Sequence, residues 1–216
     1  MSIKSAILLE SQYLAPIQYF SKFTGHKNIY LEKCEHYKKG TYRNRCHIAG
    51  VNGILRLSIP LKKGKNEQQS IREVQISNDT HWQSHHWHSI RSAYGNAPYF
   101  EFYGDTLQPF FKKKYTYLYD FNLELLQTIN QLIGIHTPII ETTEYQTIPG
   151  YDVRDARNAI HPKPRYHQAD PHFQNQKYAQ VFEEKTGFLP NLSILDLLFC
   201  TGPQAILILE ECFVNP

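Results

Sequence analysis

IKSAILLESQYLAPIQYFSKFTGHKNIYLE, residues 3–32, decides the fold. Its apolar run at 3–9 suits a buried strand, and the loop behind it ends at Pro16. After that break Ile17, Tyr19, Phe20 and Phe23 fall at near-helical spacing up to Gly25, and residues 29–32 give a second brief strand. Strand, helix and strand with so short a return make the two strands parallel neighbours, the opening of an α/β fold. Ligands of such folds bind at the carboxyl ends of strands, so Gln12 and Tyr13, in the loop after the first strand, are candidates for polar contacts. The loop carries neither GxGxxG nor GxxxxGK[ST], which argues against a dinucleotide or P-loop site.

Downstream the period changes. Between residues 42 and 60, Val51-Asn52-Gly53 separates two β-type runs and predicts a hairpin. Residues 62–69 are polar and basic, a loop, and Ile71, Val74 and Ile76 read as another strand. Helical spacing begins at His81, and a long amphipathic helix over residues 118–133 closes at Gly134. The segment DVRDARNAIHPKPRYHQADPHFQ, 152–174, has three prolines and little apolar periodicity, so it reads as irregular. SILDLLF and PQAILIL then predict two short helices, with Ser193 as N-cap and a break at Gly202. The expected architecture is a single α/β domain: a small mixed β-sheet with flanking helices over residues 1–136, and an irregular C-terminal extension, 137–216, packed on it.

Composition narrows the function classes. Among 216 residues, 23 Lys and Arg against 20 Asp and Glu leave a net charge of +3, which offers no global field to a polyanion, so no nucleic-acid partner is expected. No apolar run approaches the roughly 18 residues that a membrane span requires. Cys34, Cys46, Cys200 and Cys212 lack CxxC spacing, and the N-terminus lacks a signal-peptide pattern, so the expectation is a cytoplasmic protein with reduced thiols. The 15 Tyr and 12 Phe against one Met indicate a rigid, aromatic core.

Two stretches carry candidate chemistry. HWQSHHWHSIRSAYGNAPYFEFY, 81–103, placed on a helix at about 100° per residue, puts His81, His85 and His88 on one side. Trp82, Trp87, Ile90, Ala93 and Tyr94 spread over the other, with His86 in their midst. The first three histidines are either a solvated face or metal ligands. His86 is either a satisfied core histidine or a general base, since imidazole titrates near neutrality. In TYRNRCHI, 41–48, an extended chain would put Arg43, Arg45 and His47 on one side, with guanidiniums about 7 Å apart as a clamp for phosphate or carboxylate. The alternative is an edge strand with solvated arginines. Cys46 reads as a buried structural thiol. Arg154, Asp155, Arg157 and Asn158 would add polar groups to a site if their loop folds over it.

Taken together, SQYLAPIQYF, TYRNRCHI, LSIP, the 81–103 stretch and LYDFNLELL resemble the WbqC-like protein family in order and spacing. GFLPNLSILDLLFCTGP is similar to the version in Bacteroidetes-type members. Many relatives have a proline after the glutamine, where Tyr13 stands here. The resemblance implies a place in bacterial surface-polysaccharide and O-antigen biosynthesis, as a transferase moving an acyl or aminoacyl group to an activated amino sugar. The substrate is then a small anionic or sugar-linked molecule, with no cofactor or metal. In the expected site Arg45 holds phosphate or carboxylate, Asn44 and Gln12 orient it, His86 is the base, and Trp82 and Tyr94 give stacking surface, with Tyr13 nearby. The rivals are a non-catalytic saccharide- or nucleotide-binding protein, and a metal-dependent enzyme built on His81, His85 and His88.

Overall fold

β1 (Ala6–Glu10) and β2 (Ile29–Glu32) run parallel, Ile7 opposite Ile29 through to Glu10 opposite Glu32, with α1 (Ile17–Gly25) between them. This is the unit expected from residues 3–32. A computed structural model describes residues 6–64, 66–145, 147, 150, 152–166 and 168–214, so the first three residues of that reading lie outside it. Along β1 and β2 the side chains alternate. Ile7, Leu9, Ile29 and Leu31 are fully buried in the main core with Phe20 and Phe23 of α1. Leu8 is also buried but lies outside that core cluster, on the opposite face.

The predicted hairpin is β3 (Arg45–Gly50) and β4 (Gly53–Ser58), antiparallel, with Gly53 at φ 105°, a left-handed value that favours glycine in the turn. It forms a two-stranded sheet of its own instead of extending the first. The strand expected at residues 71–76 is not formed. Ile71–Glu73 is a 3₁₀ turn, and the buried Ile71 and Val74 are three residues apart, the spacing that aligns side chains in that turn.

α2 (Trp82–Tyr94) and α3 (Phe100–Leu107) follow, then α4 (Leu118–Ile133), which ends as predicted. Gly134 at φ 83° gives its N–H to the carbonyls of Asn130 and Gln131. Beyond α4 the chain is woven into the fold instead of being laid on it. β5 (Ile139–Glu141) pairs with β2, and β6 (Val153–Asp155) pairs with β1, giving a parallel sheet in the order β5-β2-β1-β6. The segment expected to be wholly irregular thus supplies an edge strand. After α5 (Glu183–Thr186), α6 (Ile194–Thr201) is buried almost all round, as an apolar interior helix must be, and α7 (Ala205–Cys212) packs against α1. Ser193 caps α6 with its hydroxyl. Inside α6, Asp196 is fully buried and accepts from Tyr178 at 2.6 Å and Gln180 at 2.9 Å. The chain is one α/β domain, its four cysteines are free, and no helix among the described residues is long and apolar enough to cross a membrane.

Candidate functional site

Every strand of the parallel sheet ends on a carboxylate: Glu141, Glu32, Glu10 and Asp155, reading across the order β5-β2-β1-β6. Glu10 pairs with Glu32 in register, and Asp155 lies opposite Leu8, so these three share the Leu8 face. Glu10 and Glu32 are almost completely buried. Buried charge persists only when paired and hydrogen-bonded. Here Glu32 accepts from Thr142 Oγ1 at 2.7 Å, the Cys34 N–H at 2.8 Å and Arg157 Nη1 at 2.8 Å. Glu10 accepts from Gln12 Nε2 at 2.8 Å and from the Asn158 N–H at 2.9 Å.

Arg43 completes the cluster. Tyr42–Asn44 is a 3₁₀ turn capped by Thr41, which swings Arg43 inward. Its guanidinium, with no exposure, donates to Glu35 in a fork at 2.7 and 2.6 Å, and to Asn158 Oδ1 at 3.0 Å. Burial alone would lower its pKa, but Glu10 and Glu35 outweigh it and hold the group above the ordinary guanidinium range. The clamp expected from Arg43 and Arg45 on one face is therefore corrected: the turn sends them apart, and Arg43 is spent on Glu35.

The loop containing Arg157 and Asn158 does fold over this edge. Arg157 donates to Asp155 at 3.0 and 2.6 Å as well as to Glu32. Burial raises the Asp155 pKa, but those bonds outweigh it and keep the carboxyl below its usual range. Asn158 sits at φ 64°, a left-handed conformation that asparagine tolerates. Ile160 accepts from Gln12 at 3.4 Å. Residues 156–160 thus form a strap across the strand ends.

A groove runs outward from this edge. One cavity of about 460 Å³ is lined by Cys34, Glu35, His36, Tyr37 and Tyr145, whose ring lies 4.7 Å from the Arg157 guanidinium. A second, of about 580 Å³, is lined by Tyr37, Lys39, Asn44, Arg45 and Pro60, and the two share Tyr37 and Glu67. At its far end Arg45 has no carboxylate within salt-bridge distance among the described residues, and its buried Nε has no hydrogen-bond partner. Burial, then the neighbouring Arg56, lowers its pKa. Asn44 donates to the Ile59 carbonyl at 2.9 Å, leaving Oδ1 without a partner. This end can accept an anion beside a hydroxyl.

The other residues expected at the site lie in the core. Tyr13 Oη meets His86 Nδ1 at 2.8 Å, and the Trp82 ring stands edge-on to His86 with centroids 5.0 Å apart. The second ring nitrogen is engaged by the Ser58 backbone, and burial lowers the His86 pKa to about 4. Tyr94 Oη accepts from the Ala49 N–H at 3.0 Å. The first loop, the Asn44 turn and α2 do adjoin, since Tyr13 N–H donates to the Tyr42 carbonyl at 2.9 Å, but neither groove cavity is lined by Tyr13, Trp82, His86 or Tyr94. His81, His85 and His88 are exposed, and no group of three His, Cys, Asp or Glu among the described residues is placed to hold a metal ion. Glu10, Glu32, Glu35 and His36 were not anticipated, and Arg43 was expected in another role. The signal for two of them was the glutamate that ends each apolar run, LLE and YLE.

The model of the WbqC-like protein family matches residues 10–160, a span that begins at Glu10 and ends on the strap. An uncharacterised protein of Mycobacterium tuberculosis, Rv1507c, is 26% identical over 230 residues, covering 97% of this chain and 99% of that protein. No solved structure matches.

Proposed function

Because the chain belongs to the WbqC-like protein family, we propose that it transfers an acyl or aminoacyl group to the amine of an activated amino sugar in surface-polysaccharide biosynthesis. The observation that carries this reading is the polarity of the groove. One cavity offers Arg45 and Lys39, which have no ion pair among the described residues, and the other offers His36 and Glu35, with Glu67 where the two meet. A sugar bearing phosphate at one position and an amine at another matches both ends. Arg45 and Lys39 hold the phosphate, Asn44 Oδ1 accepts a sugar hydroxyl, and the exposed Glu67, where the two cavities meet, draws the amine inward. The amine nitrogen attacks the donor carbonyl carbon, the C–N bond forms, and the bond to the donor's leaving group breaks. His36, exposed on the groove wall, takes the proton the amine loses and returns it to the leaving group.

In this reading His86 serves the fold, by holding Tyr13, and not the proton transfer. With UDP-glucosamine as acceptor and a panel of acyl and aminoacyl donors, His36→Gln lowers turnover about a hundredfold with little change in acceptor binding. His86→Gln, assayed where it is folded, keeps wild-type turnover per folded molecule. The reverse pattern would return the base to His86. Saturable acceptor binding with no turnover on any donor would favour a non-catalytic sugar-nucleotide carrier.

A further inference from the structure

A third cavity lies on the Leu8 face of the parallel sheet. Strands in parallel sheets have both faces covered as a rule. In this sheet the core face is sealed, whereas on the other face Tyr30 and Val153 are only partly buried and Ile140 is 40% exposed. Leu8, Tyr30, Ile140 and Val153 line a slot of about 350 Å³ there. That volume is at the small end for ligand pockets, enough for a chain and too little for a nucleotide.

The slot and the groove converge on one carboxylate. Thr142 lines the slot and Cys34 lines the groove. Both donate to the same Glu32 oxygen, at 2.7 and 2.8 Å. The slot and the groove are therefore neighbours across the Thr142–Cys34 contact, and a donor whose chain lies in the slot has its head beside the groove. Glu141 also borders the slot, but its Oε2 accepts from Tyr119 at 3.0 Å and lies 3.6 Å from the Lys33 ammonium, which already balances its charge. No other described residue lining the slot carries a carboxylate for an ammonium group.

We propose that this slot receives the aliphatic chain of the transferred group, which makes the donor an alkanoyl ester or thioester and not an aminoacyl one. The assignment rests on the transferase reading above and selects between its two donor classes. In the reaction the amine displaces the donor's thiolate or alkoxide, the C–S or C–O bond breaks as the C–N bond forms, and the leaving group departs with the amine's proton. No oxidant or reductant is involved.

The test is binding of butanoyl, hexanoyl and octanoyl N-acetylcysteamine thioesters to the full chain by calorimetry, with UDP-glucosamine titrated separately. Affinity should rise about fourfold for each added methylene until the slot is full. Ile140→Trp, on the open side of the slot, should abolish that dependence and leave UDP-glucosamine binding unchanged. Ile140→Lys checks the same wall with a charge, should Ile140→Trp fold poorly. Affinity that does not depend on chain length, or a dependence that survives both substitutions, would overturn the assignment. Loss of UDP-glucosamine binding with chain-length dependence intact would instead defeat the transferase reading and leave the slot standing as an acyl site.

Discussion

Replacing Glu35 by alanine lowers the unfolding free energy by roughly 3–5 kcal/mol, the cost of leaving a buried guanidinium without its partner. Arg43 is fully buried and Glu35 is 3% exposed, so water cannot take over the lost contacts. Glu10, which also acts on Arg43, moderates the loss without replacing the two-pronged bond. The double variant Glu35→Leu with Arg43→Met should recover most of it, because removing both charges also removes the desolvation penalty. The comparison is the exposed pair Lys113–Glu124 at 3.5 Å, where Glu124→Ala should cost less than about 1 kcal/mol. Urea denaturation of the variants checks all three. A Glu35→Ala loss no larger than that of Glu124→Ala would mean that the strand-end cluster does not hold the edge together.

Acid should weaken the fold through His86. Its folded pKa of about 4 lies below the ordinary 6.5, chiefly because burial disfavours the imidazolium. As pH falls the unfolded chain therefore binds the proton first. The stability His86 contributes is complete above about pH 6.5 and is lost progressively down to about pH 4. The size of the shift corresponds to roughly 3 kcal/mol. Burial lowers the pKa of His26 and His47 as well, and carboxylates add their own terms, so the informative quantity is a difference. Wild type minus His86→Gln should shrink by that amount between pH 7.5 and pH 4 in denaturation experiments. Parallel stability curves would show that His86 is not held neutral by the fold.

Much of the framework was legible from residue order. Residues 3–32 open on an apolar run, break at Pro16 and resume with helical spacing, and each of those steps is local, so β1, α1 and β2 could be read directly. The same holds for the Asn52-Gly53 turn and for α4 with Gly134. β6 was not legible, because Val153–Asp155 carries two charges in three residues and becomes a strand only by pairing with the edge of β1. Residues 71–76 failed for the opposite reason: apolar spacing was present, but Ile71–Glu73 turns, and beyond it only single bridges form, Gln75 with Tyr117 and Ile76 with Leu61.

The candidate site divides in the same way. Arg45 was identified from residue type and Asn44 through the family resemblance, and both line the groove. Arg43 was misjudged because an extended geometry was assumed where Tyr42–Asn44 turns. His86 drew attention as an imidazole on an apolar face, yet its partner Tyr13 is 73 positions away, a distance that residue order does not reveal. Glu10 and Glu32 passed unnoticed because each reads simply as the polar end of a strand, until the sheet sets them side by side.

The most direct test of where substrate binds is the set of amide chemical-shift changes on saturating the ¹⁵N-labelled protein with UDP-glucosamine. The account predicts changes at residues 34–39, 44–45 and 66–68, with Trp82–Tyr94 unaffected. Changes confined to α2 and residues 11–13 would contradict it and place the ligand against His86.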